Sequence, residues 1–207
     1  MGLIGSGSQS EFQALAHYYL LGIDRVQYYD IDPEAMKKFA RNMAPYPIEC
    51  VPCETVALAT ADVDIITTAT AQKCHQTLLS GLTLSPGLHI NAIGGDCPGK
   101  TELGKNILAQ AQVFVEYLAQ SAIEGEVQQA SGEQQEATEL WQVMNEQAVG
   151  RSSEALVTLF DSVGFALEDY SILRLVYRLS ERHQLGHVLD LLPEHVPPKD
   201  LFSALSV

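Results

Sequence analysis

The chain has 207 residues, 46% of them hydrophobic, and a formal net charge of -14 at pH 7. That length and apolar content fit one domain with a full core, or one domain plus an appendage. The charge argues against a nucleic-acid partner and an anionic membrane surface, since no basic stripe exists to neutralise phosphates. No apolar run reaches the length of a membrane span and no secretory leader opens the chain, so a cytoplasmic compartment is expected.

Gly2-Leu3-Ile4 reads as a short strand ending at Gly5-Ser6-Gly7-Ser8-Gln9-Ser10. A helical pattern follows, with Phe12, Leu15, Ala16, Tyr19 and Leu20 as its apolar face and Gly22 in the place of a C-terminal cap. Strand, glycine turn and helix together open a dinucleotide-binding unit. Gly5 permits the tight turn and Gly7 lets the backbone approach a pyrophosphate. Ser10 stands where a third glycine usually sits, and the helix start offers free N–H groups to the phosphates. The next strand, Arg25 to Tyr29, ends in Asp30, about where the fingerprint needs an acid. A carboxylate there accepts hydrogen bonds from both ribose hydroxyls and repels a 2′-phosphate, which favours NAD over NADP. Asp32, directly before Pro33, suits the N-cap of the second helix, Pro33 to Met43.

Further on, Ile48 to Val51 and Val63 to Thr67 read as strands, with a short helix between them from Glu54 to Thr60. The small residues Thr68, Ala69 and Thr70 close the second of these strands. Leu88 to Ile93 is a buried strand running into a glycine-rich loop that carries Asp96 and Lys100, flanked by Gly94, Gly95 and Gly99. Ligands of open α/β sheets sit beyond the carboxyl ends of the strands, so this lone acid is the first candidate for chemistry. The remaining expectations are a capped helix from Thr101 to Ala109 and a strand from Val113 to Glu116. A polar, Gln-rich stretch runs from Glu124 to Gln135. A short helix from Ala137 to Glu146 has Leu140, Trp141 and Met144 as its apolar face. A last strand covers Thr158 to Phe160, and a long helix starts at Asp161-Ser162-Val163-Gly164 and reaches about His183. The tail to Val207 carries Pro193, Pro197 and Pro198. The alternation predicts a Rossmann-type, doubly wound, mostly parallel α/β sheet over residues 1–160, then a C-terminal helix and tail over 161–207.

Cys50 and Cys53 form a C-x-x-C pair with no second pair to complete a zinc set, and they read as small apolar side chains around a strand end. Cys97 stands next to Asp96 and could be reactive. His183 and His187 are spaced i, i+4 with Gly186 between them, and no metal centre is expected.

The set GSGSQSEFQ, YDID, DIITTAT, HINAIGGDCPGKTEL, FVEY, IEGE and TLFDSVGFALEDYSILR resembles the ornithine cyclodeaminase and mu-crystallin family, from Met1 to about Arg174. Within it, GGDCPGKTEL looks like the ornithine cyclodeaminase branch. The resemblance implies a redox-neutral lyase. Tightly held NAD⁺ takes the α-hydride of L-ornithine, the δ-amine attacks the resulting imine, ammonia leaves, and the hydride returns to give L-proline. The family's catalytic acid/base, which also touches the substrate amine, falls on Asp96. An acid set among apolar strands can be tuned toward neutrality. Cofactor contacts fall on Gly5, Gly7, Ser8, Gln9, Asp30, Thr68, Ala69 and Thr70, on His89, Ile90, Asn91 and Ala92, and on Lys100 and Ser162. Val163 would line the substrate. Family members are homodimers nearly twice this length. Their N-terminal segment joins the C-terminal helix in a dimerisation and substrate domain, and its basic residues bind the substrate carboxylate. This chain opens inside the first strand, so that segment is expected to be lacking and the long helix is expected to expose its apolar face. Three readings follow: an enzyme completed by that segment, a module that holds NAD without catalysis, or a fragment. An amino-acid dehydrogenase or ketimine reductase of the same family is a further alternative.

Overall fold

The computed structural model describes residues 1–71, 77–79, 81–130 and 136–189. Cys74, His75, the Gln-rich residues 131–135 and the proline-bearing tail from 190 lie outside the described residues. Two units are present, Met1–Phe165 and Ala166–Val207.

The first unit is built on an eight-stranded sheet in which every described pairing is parallel. The strands are β1 (Gly2–Ile4), β2 (Arg25–Tyr29), β3 (Glu49–Pro52), β4 (Ile65–Thr68), β5 (His89–Ala92), β6 (Gln112–Val115), β7 (Ala137–Glu139) and β8 (Thr158–Asp161), in the order β3-β2-β1-β4-β5-β8-β6-β7. The chain runs outward from β1 to β3, then returns to place β4 on the other side of β1. The crevice between β1 and β4 is therefore the topological switch point, where such sheets bind ligands. The register sets Tyr29, Ile4, Thr68, Ala92, Asp161 and Val115 side by side across six strands. Every loop that leaves those residues opens on one edge.

Two apolar clusters cover the faces. One holds Leu3, Val26, Tyr28 and Ile65 against helices α1 (Ser10–Leu21) and α2 (Pro33–Met43), with Phe39 and Met43 fully buried. The other holds Ile66, Ile90, Val113, Val115 and Leu159 against Leu103, Ile107 and Leu108. Burial of this kind stabilises by about 25 cal/mol per Å² of apolar surface. Asp32 caps α2 by accepting the Glu34 N–H, with Pro33 at the first helical position. Gly22 ends α1 in the left-handed region (φ 73°).

Three expectations are corrected. The apolar face assigned to α1 is largely turned outward: Phe12, Tyr19 and Leu20 are exposed, of that face only Leu15 packs against the core, and the buried residues are Ser10, Ala14 and His17. Small side chains there let the start of the helix approach the glycine loop and the sheet. The helix expected from Thr101 forms only as α4 (Lys105–Leu108), because the N–H groups of Glu102 and Leu103 are taken by the Glu126 carboxylate. The helix expected from Ala137 splits into β7 and α6 (Leu140–Met144), and Leu140, Trp141 and Met144 are exposed. The Glu124–Gln135 stretch follows an unforeseen helix, α5 (Leu118–Glu124), and includes a 3-10 turn (Glu126–Gln129). A short helix α3 (Val56–Ala59) precedes β4.

The second unit contains α7 (Ala166–His183), none of whose side chains is buried; Leu167, Leu173, Val176 and Leu179 are exposed. Phe165 precedes it, and its ring centroid sits 6.4 Å from that of Tyr117. Among the described residues, no helix is long and apolar enough to cross a membrane.

Candidate functional site

The site begins where β1 ends. Gly5 has φ 102°, and a Cβ there would stand 2.5 Å from the Ala69 carbonyl oxygen, so any larger residue would collide with the loop leaving β4. A Cβ at Gly7 would meet nothing within 4 Å, which leaves the backbone open to a ligand. Asp30, at the end of β2, turns back onto this loop. Its Oδ2 accepts the Ser6 N–H (2.5 Å) and its Oδ1 accepts the Asp32 N–H (2.9 Å). Lys38 of α2 reaches across and donates to the Gly7 carbonyl (2.8 Å) and to the Glu11 carboxylate (2.9 Å). Burial raises the Glu11 carboxyl, but hydrogen bonds from Lys38, its own backbone, Asn42 and Ser10 outweigh it and bring it below its ordinary value. Between these loops lies a cleft of about 370 Å³, walled by Gly5, Gly7, Asp30, Ala69 and Thr70. Ser6 and Thr68, from the β1 loop and the end of β4, carry buried hydroxyls with no partner among the described residues.

The second half of the site is tied to the first through Thr70. Lys100, almost fully buried, donates to the Thr70 carbonyl (3.0 Å) and to Asp96 Oδ1 (3.0 Å). Asp96 therefore stands at the same sheet edge as the Gly5–Gly7 loop, two hydrogen bonds from the cleft wall. It is not set among apolar strands: its side chain is 60% exposed. The Thr70 N–H (3.1 Å) and hydroxyl both go to Glu102 Oε1.

The buried acids lie behind this layer, and the sequence reading gave none of them a role. Glu126 Oε1 accepts the Glu102 N–H (2.7 Å) and Oε2 the Leu103 N–H (3.0 Å). Asp161 accepts the N–H groups of Glu126 (2.8 Å) and Val127 (3.1 Å). Burial pushes the Glu126 carboxyl up to about 8 and that of Asp161 up to about 6, against the opposing pull of those N–H donors. Glu116 accepts from the Ser162 hydroxyl and from the N–H groups of Val163 (2.9 Å) and Gly164 (2.7 Å). The available signal was a pair of glycines set close to acids in the sequence, Gly94 before Asp96 and Gly125 within IEGE: at these two positions a Cβ would collide with the carboxylates of Glu102 and Asp161.

Of the residues expected at the site, Gly5, Gly7, Asp30, Ala69 and Thr70 wall the cleft, and Ser8 and Gln9 lie exposed at the start of α1. Thr68, Ala92 and Ser162 stand at the carboxyl ends of adjacent strands, with the Ser162 N–H on the Ala92 carbonyl (2.9 Å). Ile90 is buried in the core, and Asn91 donates to Gln13 of α1 (3.2 Å). His89 is not brought to this edge. It opens β5 at the amino end, with Nδ1 on the Thr158 hydroxyl (2.9 Å). Burial and the nearby Arg151 guanidinium push it down to about 4. Burial raises the thiols of Cys50 and Cys53.

A parallel, doubly wound sheet with a glycine loop after its first strand, an acid after its second and a cleft at the switch point defines a Rossmann-type α/β protein. The chain belongs to the ornithine cyclodeaminase/mu-crystallin family, whose model matches residues 1–183. It is 50% identical over 205 residues to an ornithine cyclodeaminase of Agrobacterium fabrum, covering 99% of this chain and 58% of that protein. Two solved structures superpose closely. A lysine cyclodeaminase described for its recognition of L-lysine, L-ornithine and L-2,4-diaminobutyric acid has a TM-score of 0.82 at 31% identity, over 95% of this chain and 58% of that one. An archaeal alanine dehydrogenase dimer with bound NAD has a TM-score of 0.80 at 30% identity, over 92% and 60%. The chain thus spans less than two thirds of the relatives it matches.

Proposed function

We propose that this chain is the nucleotide-binding part of an ornithine cyclodeaminase, a lyase that converts L-ornithine to L-proline and ammonia. The observation that carries this reading is the Lys100 bridge, which fixes the one acid of the glycine-rich loop to the wall of the cleft. The residues fit NAD: Gly7 offers open backbone, Asp30 offers a carboxylate at the ribose position without room for a 2′-phosphate's charge, and unpartnered hydroxyls flank the cleft. When bound, NAD supplies a transient acceptor for the α-hydride, so the overall conversion is redox-neutral.

The chain's own residues then have distinct tasks. Lys100 engages Asp96 Oδ1 and orients the carboxyl group, leaving Oδ2 to exchange a proton with the substrate amine or an activating water. Asp96, with Val163 beside the Glu116-held turn, faces the substrate. Ser8, Gln9, Thr68, Ala69, Thr70, Ala92, Lys100 and Ser162 border the cofactor. A cytoplasmic homodimer is the expected assembly. The likeness to an alanine dehydrogenase favours a second reading, net amino-acid oxidation on the same site.

One experiment separates the two. The intact polypeptide that carries this chain is given NAD⁺ and L-ornithine, and proline, ammonia and NADH are followed together. Proline and ammonia without NADH support the cyclodeaminase; accumulating NADH supports the dehydrogenase. Asp96→Asn should abolish turnover and leave NAD affinity within about threefold, and surviving activity would remove Asp96 from its assigned role.

A further inference from the structure

Thr70 has three polar groups that could set the shape of the cleft wall, and the Lys100-Thr101-Glu102 stretch takes all of them. Lys100 holds the carbonyl; Glu102 Oε1 accepts both the N–H and the hydroxyl. Glu102 is 2% exposed, and it is itself held from behind. Its N–H and that of Leu103 end on Glu126, and the N–H groups of Glu126 and Val127 end on Asp161. Three buried carboxylates thus each accept two donors from the loop in front, and the series ends at the cleft. The Glu102 carboxylate lies hard against Gly94, and its Oε2 has no partner among the described residues.

We propose that Glu102 is a positioning residue that sets the Thr70 turn against the Gly5 loop, with Glu126 and Asp161 fixing Glu102 in place. The role rests on the cofactor reading of the cleft, because a misplaced Thr70 matters only if the cleft is occupied. It acts through geometry rather than charge. Glu102→Gln keeps an acceptor oxygen at Oε1 and puts its amide nitrogen where Oε2 lacks a partner. Glu102→Asp keeps the charge but draws the carboxylate back by one methylene. Glu102→Ala removes the acceptor.

The test uses the full chain and two readouts, NAD affinity by calorimetry well below the unfolding temperature and amide hydrogen exchange at Thr70 by NMR. Glu102→Ala and Glu102→Asp should weaken NAD binding about tenfold, as loss of a single buried hydrogen bond does. Both should also release the Thr70 amide to exchange. Glu102→Gln should stay within about threefold of the parent and keep the amide protected. Equal affinity and protection in the Asp variant would overturn the positioning role. A loss in the Gln variant as large as in Ala would show that charge, not placement, matters. If the parent itself does not bind NAD, the cofactor reading fails on its own, while Thr70 exchange still decides whether Glu102 holds the turn. Should the Ala variant fail to fold, the Asp and Gln pair carries the test.

Discussion

On the β1-β2 side of the cleft, loops are held by charges that still meet solvent: Lys38 spans Gly7 and Glu11 with its side chain 30% exposed, and Asp30 gathers two N–H groups at the rim. Beyond β4, the loops that carry Asp96 and Lys100 rest on Glu102, Glu126 and Asp161, all essentially inaccessible. The first arrangement suits a loop that must admit and release a large anionic ligand. The second suits a loop whose position must not drift, since a buried carboxylate with two N–H donors has one good geometry. Each device has its own cost. Solvent weakens the exposed pairs, and desolvation strains the buried acids.

The largest contrast should come from removing one member of each set. Glu126→Ala leaves two buried N–H groups, of Glu102 and Leu103, without acceptors. An unsatisfied buried donor costs about 1–3 kcal/mol, so a loss of roughly 3–4 kcal/mol at pH 6 is expected in urea unfolding. A loss under about 1 kcal/mol, the scale of an exposed pair, would erase the distinction between the two halves.

A smaller effect comes from pH. The carboxyls of Glu126 and Asp161 are raised in the fold by burial, to about 8 and about 6. Between the ordinary carboxylate range and those values the native state binds more protons than the unfolded state. Stability is then fully present at low pH and falls as pH rises through about 6 and then about 8. A decline on the order of 2–3 kcal/mol between pH 6 and 8.5 is expected, and Glu126→Gln should flatten it. His89, at the opposite end of the sheet, has the reverse sign. Burial and Arg151 lower it to about 4, so its contribution is present above its ordinary 6.5 and is lost as pH falls toward 4. A profile that stays level from pH 6 to 8.5 in the parent protein would mean that the acids are not buried as described.

The same division separates what was legible in the sequence from what was not. Gly5, Asp30 and the Asp32-Pro33 cap announce themselves because their reasons are local: a turn that needs a positive φ, an acid at a strand end, a cap two residues from its donor. Asp96 and Lys100 were visible as the charges of a glycine-rich loop. Glu126 and Asp161 were not, because their donors lie 23 to 35 residues away, and an acid in a polar stretch or at a strand end reads as surface. Periodicity failed on α1 for a related reason. Its buried stripe is Ser10, Ala14 and His17, chosen for fit rather than hydrophobicity, while Phe12, Tyr19 and Leu20 face outward. The short strand β7 (Ala-Thr-Glu) has no apolar run to betray it, and only pairing with β6 makes it a strand.

The smallest effect should be Lys38→Met. Its ammonium joins α2 to the glycine loop through the Gly7 carbonyl and balances Glu11, yet the pair is partly solvated, so the fold should lose less than about 1 kcal/mol. NAD binding should suffer more than stability does. Without the ammonium, Gly7 is no longer held, and the Glu11 carboxylate stands uncompensated in the first turn of α1, near the expected pyrophosphate. A rise in the NAD dissociation constant of about three- to fivefold is expected, narrowing as salt screens Glu11. Calorimetry at two ionic strengths reads both quantities. If affinity holds while stability drops by several kcal/mol, Lys38 is a structural member like Glu126, and the solvent-facing half of the cleft is built on the same plan as the buried one.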